Sequence, residues 1–156
     1  MKHWVLYGVT VLAVILLSAS PFQGTDISKL APVEVVWLAE EDGQVLLVTD
    51  TGDWGRGKDV REALSALKAS SPGTVFLDTA DYLIVETNAE DFLNQVADIL
   101  RPSCMLCRAG SMPDLQEAAA FLIAHESGVT LRQWQEERMK LPLLKEEERR
   151  LSWDEK

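Results

Sequence analysis

Val33-Glu34-Val35-Val36-Trp37-Leu38 and Gln44-Val45-Leu46-Leu47-Val48 flank Glu41-Asp42-Gly43, and this stretch decides how the chain must fold. Branched and large apolar side chains suit a pleated, half-buried surface. An Asp-Gly pair between two such runs favours the positive backbone angles of a tight hairpin turn. The fold therefore opens on an antiparallel hairpin.

Downstream the apolar period changes. From Asp59 to Ala69, Val60, Ala63, Leu64 and Leu67 recur at helical spacing, and Ser70-Ser71-Pro72-Gly73 stops the helix. Val75-Phe76-Leu77 and Tyr82-Leu83-Ile84-Val85 read as strand, parted by a polar kink at Asp78-Thr79. Asn88 is placed to cap a helix bearing Ala89, Phe92, Val96, Ile99 and Leu100, which Pro102 ends. Ser103 to Arg108 is a short strand. Ser111-Met112-Pro113-Asp114 resembles a helix start, with Ser111 as cap, and that helix runs to Glu126. Thr130 and Gln133 form a capping box opening a last helix with Leu131 and Trp134. The element order is β-β-α-β-α-β-α-α. It predicts an α+β domain over residues 33–140, a mixed sheet covered on one face by helices. Residues 141–156, with Lys145-Glu146-Glu147-Glu148-Arg149-Arg150, read as a charged tail or solvated helix.

Upstream of the hairpin, Trp4 to Leu17 is an uncharged apolar run preceded by Lys2 and followed by Ser18-Ala19-Ser20. Such an N-terminal hydrophobic helix, over residues 1–22, is a signal peptide or a signal anchor. Cleavage after Ser20 would leave Pro21 next to the cut, and cleavage after Ala19 would set bulky Leu17 where a small residue is preferred, so an uncleaved anchor is favoured. Residues 4–22 suffice to cross a hydrocarbon core of about 30 Å. Lys2 retained inside puts the remainder outside the cytoplasm, with residues 23–32 as a linker. The expected location is the cell membrane, single-pass with an extracytoplasmic domain, or secretion if the signal is cut.

In 156 residues the formal charge is −10, and 47% are hydrophobic. One core can be buried, while a surface so acidic repels phosphate backbones, so no nucleic acid partner is expected.

The motifs with chemical promise are weak. Gly52-Asp53-Trp54-Gly55-Arg56-Gly57-Lys58 fits the spacing of a phosphate-binding loop, yet Asp59 stands where a magnesium-binding hydroxyl is needed and Asp53 adds negative charge. It reads instead as a glycine-rich strand-to-helix turn. Cys104 and Cys107 have redox-dithiol spacing, but extended residues three apart point to opposite faces. Arg108 replaces the histidine that haem attachment requires. His125 has no histidine at helical spacing, and Asp50, Asp53 and Asp59 miss the spacing of a calcium loop. No catalytic residue, metal site or cofactor is expected. Among the tryptophans, Trp37 and Trp134 fit core positions. Trp54, in the glycine-rich loop, and Trp153, in the charged tail, are candidate partner contacts if exposed. The residues assigned to partner binding are Trp54, Gly55, Arg56 and Trp134, and the candidate redox pair is Cys104 and Cys107.

From Asp26 to about Ala109 the chain resembles the N-terminal domain of the Ger(x)C family of spore-germination proteins, subunits of germinant-receptor complexes. The likeness lies in Asp26-Ile27-Ser28-Lys29-Leu30, the Glu41-Asp42-Gly43 hairpin, Gly55-Arg56-Gly57-Lys58-Asp59-Val60 leading to Glu62-Ala63-Leu64, and Tyr82-Leu83-Ile84-Val85. Members carry a lipid-modified cysteine after the signal and a large second domain, and this sequence has neither. The resemblance thus implies a truncated relative on a peptide anchor, in an endospore-forming bacterium. It implies a role in germination or spore-envelope assembly, with envelope or germinant-receptor proteins as partners and no catalytic residue to transfer. Function is expected to be a non-catalytic, extracytoplasmic protein-protein interaction. The alternatives are thiol-disulfide exchange at Cys104 and Cys107, or a small-ligand binding module.

Overall fold

The computed structural model describes residues 30–125, 128–147 and 150–153. The expected hydrophobic helix at 1–22 and all but the end of the linker lie outside the described residues. No helix among the described residues is long and apolar enough to cross a membrane.

After a short strand β1 (Leu30–Pro32), the predicted hairpin forms as β2 (Val35–Glu41) and β3 (Gln44–Thr49). Its turn needs Asp42 at φ 53° and Gly43 at φ 75°, which glycine adopts without a side-chain clash. The next segment departs from expectation. Trp54–Gly57 is not a loop but a strand, β4, antiparallel to β3. Hydrogen bonds from Thr49 N–H to the Asp53 carbonyl (2.9 Å) and from Gly52 N–H to the Thr49 carbonyl (2.9 Å) close the connecting turn and set that register.

Helix α1 (Val60–Ser70) follows directly, its N-terminus capped by Asp59, whose carboxylate accepts the Glu62 N–H at 2.8 Å. Strand β5 (Thr74–Phe76) pairs in parallel with β1 in a separate small sheet and ends in a 3-10 turn, Leu77–Thr79. Then come β6 (Tyr82–Glu86), a 3-10 turn at Glu90–Phe92 and a single-turn helix α2 (Leu93–Val96). The longer helix expected from Asn88 does not form. No side chain caps either short element, and the segment bends after Val96 so that Leu93, Val96 and Leu100 still reach the core.

Strand β7 (Met105–Ala109) leads to α3 (Leu115–Ala124). Its cap is Asp114, not Ser111: the Asp114 carboxylate accepts the N–H groups of Gln116 (2.9 Å) and Glu117 (3.0 Å). A short β8 (Val129–Thr130) precedes α4 (Leu131–Glu137), which opens with the predicted capping box of Thr130 and Gln133. The described part of the final segment is neither tail nor helix. Residues 143–153 supply β9 (Leu143–Glu147) and β10 (Arg150–Trp153), because Leu144 is buried and Leu151 and Trp153 pack on the same apolar cluster.

The main sheet has eight strands in the order β10-β9-β7-β6-β2-β3-β4, with β8 beside β7. Its middle, β2, β6, β7 and β9, is parallel, while antiparallel pairing adds β3 and then β4 at one edge and β10 at the other. The chain is thus α+β with a mixed sheet, as expected, but helices lie on both faces rather than one. One face, with Leu38, Leu47, Leu83 and Leu106, meets α1, α2 and α4 through Leu67, Leu93 and Trp134. The other, with Trp37, Ile84 and Cys107, meets α3 through Ala118, Ala119 and Leu122.

Candidate partner-binding surface

Helix α1 lies so close to β4 that a Cβ on Gly55 would overlap the Ala63 carbonyl and the Leu67 backbone nitrogen, and one on Gly57 would overlap the Ala63 nitrogen. Only glycine fits at both positions. Because side chains alternate along a strand, residues 54 and 56 must then stand on the opposite face. Trp54 does so with 57% of its surface exposed. Its strand is held by the Ser70 hydroxyl, which donates to the Trp54 carbonyl at 3.0 Å. Arg56, also exposed, pairs with Glu41 across the hairpin.

Trp54 pairs with Val48, and Arg56 with Leu46. Leu46 and Val48 are half-buried and touch the margin of the apolar cluster under α3. Helix α3 covers Trp37 and Ala39 on β2 but leaves this part of the face open. A free-standing tryptophan beside half-buried leucine and valine is what a partner contact requires: a large rigid apolar group that water covers poorly.

The other assigned residues are disposed differently. Gly55 is buried against α1, so it shapes the surface rather than forming it. Trp134 is only 9% exposed and faces the core, with the Arg138 guanidinium stacked 4.3 Å from its ring centroid; it is a core residue and not a contact. Trp153 is half-buried, 5.8 Å from the Phe121 ring, and its Nε1 donates to the His125 carbonyl at 3.4 Å. Trp134 belongs to the opposite face of the sheet, and Trp153, on β10, lies on the face of Trp54 but at the other edge.

Cys104 and Cys107 are both buried free thiols. They belong to different apolar clusters, Cys104 under α4 and Cys107 under α3, because Cys104 directly precedes β7 and residues three apart along an extended run point oppositely. Burial pushes each thiol up to about 12. A protonated, enclosed thiol is a poor nucleophile, and the geometry gives thiol exchange no support.

The acidic loop is spent on its own turns. The Asp50 carboxylate accepts the Glu34 N–H at 3.3 Å, Asp53 accepts the Thr51 hydroxyl at 3.0 Å, and Asp59 caps α1 at the position where a phosphate would sit. Among the described residues no group of three histidine, cysteine or acidic side chains could hold a metal. His125 stacks on Phe121 at 4.5 Å, with Nδ1 3.0 Å from the Phe121 carbonyl.

Two clefts open elsewhere. One of about 580 Å³ lies beside β5, where Lys68, Asp78 and Asp98 ring Leu64, Phe76 and Ile99. Another of about 470 Å³ sits past the ends of β6 and β7, between Thr87, Ser111 and Lys145. Both are wide to solvent and carry charge at the mouth, unlike the enclosed apolar pockets that hold small molecules.

Sequence reasoning missed Leu46, Val48 and Ile123 as surface residues. Ile123 is 56% exposed although it falls in an apolar helix. Its signal was there: Leu115, Ala118, Ala119 and Leu122 fill one helical face, and Ile123 falls outside it. Comparison with known proteins brings no match, whether to a family model, a curated protein or a solved structure.

Proposed function

We propose that this chain is a non-catalytic, membrane-associated interaction protein whose domain lies outside the cytoplasm and docks onto other envelope proteins. The observation that carries the reading is the exposed Trp54, forced outward on an edge strand by the glycines on either side of Arg56. The apolar run near the N-terminus and the retained Lys2 support the membrane association and its orientation. The resemblance to the N-terminal domain of Ger(x)C proteins supports germinant-receptor or spore-envelope subunits as the partners.

The test is affinity capture of the full-length protein from membranes of sporulating cells, with Trp54→Ala in parallel. Recovery of envelope subunits by the native chain, lost with Trp54→Ala at unchanged protein level, is expected. Partners retained equally by the variant would remove Trp54 from the interface.

A further inference from the structure

Independently of the Trp54 surface, we infer that the C-terminal hairpin, β9 with β10, is a strap that opens as a unit while the rest of the fold stays closed. Its opening admits solvent and electrophiles to Cys107 but not to Cys104.

Little backbone attaches the strap. β2 meets β6 along Val35–Leu38, and β6 meets β7 along Met105–Ala109, whereas β9 meets β7 only where Leu143 lies beside Arg108 and Leu144 beside Ala109. That ladder has no room to lengthen. β6 takes one edge of β7, and on the other β8 already holds Met105 and Leu106. Since β7 ends at Ala109, Lys145 to Glu147 run on past it and pair with β10.

Side chains supply the rest of the described attachment. Leu144 is buried, while Leu151 and Trp153 are half-buried on the cluster under α3. Trp153 also donates its Nε1–H to the His125 carbonyl at 3.4 Å, long for such a bond. The seam is not filled. The cleft of about 470 Å³ parts Gly110 and Ser111 on the body from Leu143 and Leu151 on the strap, so packing that would resist opening is missing there. Just before the strap the chain is pinned, with Leu141 buried in the opposite cluster, which places the hinge at Pro142 and Leu143. A short ladder, few buried side chains and a gap beneath mark a segment that opens locally, at a free energy below that of global unfolding.

The two thiols stand on either side of that event. Cys107 lies in the cluster to which Leu144, Leu151 and Trp153 belong; Cys104 lies in the other, to which β9 and β10 contribute nothing. Lifting the strap therefore uncovers one cysteine of a pair three residues apart.

The test is labelling of the full-length native chain with iodoacetamide in mildly alkaline buffer, the two thiols distinguished by fragmentation of the peptide 102–108. Cys107 should react about tenfold or more faster than Cys104. Trp153→Ala should speed Cys107 by a further factor of about ten, and Leu151→Ala by less, both leaving Cys104 within about twofold. Leu67→Ala, in the opposite cluster, should speed Cys104 and leave Cys107 unchanged. In hydrogen exchange of the native chain, the amides of β9 and β10 should lose protection ahead of those of β6. Equal rates at the two thiols, equal acceleration of both by Trp153→Ala, or hairpin amides protected as long as those of β6 would overturn the inference, since Cys107 would then be reached only by unfolding of the whole domain.

Discussion

The two faces of one sheet are finished to different degrees. Under α1, α2 and α4, residues of β2, β3, β6 and β7 are closed off, and glycine at 55 and 57 lets a helix touch the backbone. Under α3 the middle of the sheet is closed, but β3 and β4 keep a tryptophan in solvent. The same β4 residues serve both faces: glycines inward, Trp54 and Arg56 outward. Tight packing on one side thus dictates the display on the other, and a change on the closed face should cost stability where a change on the open face costs only binding.

The largest expected effect is on the closed face. Gly55→Ala would drive a methyl group into the Ala63 carbonyl and the Leu67 backbone, atoms that cannot rotate away, and should destabilise by about 3 kcal/mol or more, read as a fall in chemical-denaturation midpoint. A paired truncation sharpens the contrast. Leu67→Ala should cost about 3 kcal/mol by leaving a cavity, while Leu46→Ala on the open face should cost below about 1 kcal/mol because solvent already reaches it. Equal losses would mean the faces do not differ as described.

The cysteines, one on each face, predict a pH dependence. Both thiols are raised by burial from 9.0 to about 12, so the folded state holds their protons more tightly than the unfolded chain. Their contribution is fully present below 9.0 and is lost as pH rises towards about 12. Replacing both by alanine should flatten that alkaline decline, measured by thermal melting across the range. The smallest effect belongs to Trp54→Ser, which should change stability by no more than about 0.5 kcal/mol while removing partner capture.

Much of the architecture was legible before the structure. The hairpin, α1, β6 and the capping box of α4 follow from side-chain period and turn chemistry, which act within a few residues. The Gly52–Lys58 segment was not, since its glycines look like a loop until a helix some residues later is seen pressing on them. Nor was the C-terminal hairpin. Lys145 to Arg150 is dominated by charge, and only the sheet's edge beside β7 makes Leu144, Leu151 and Trp153 worth burying as strands. Of the site, Trp54 could be named from its odd place among glycines. Its exposure could not, and Trp134, equally plausible in sequence, turned out to face the core.

The sequence by itself determined which segments are helix and strand where local pattern is strong, the acidic surface, and the separation of Cys104 from Cys107 by strand alternation. The tertiary structure decided the order of strands, which helix covers which face, and therefore which tryptophan meets water. The reason is physical: period and caps are local, whereas exposure is set by whatever distant segment packs above, and nothing described in this chain packs above Trp54.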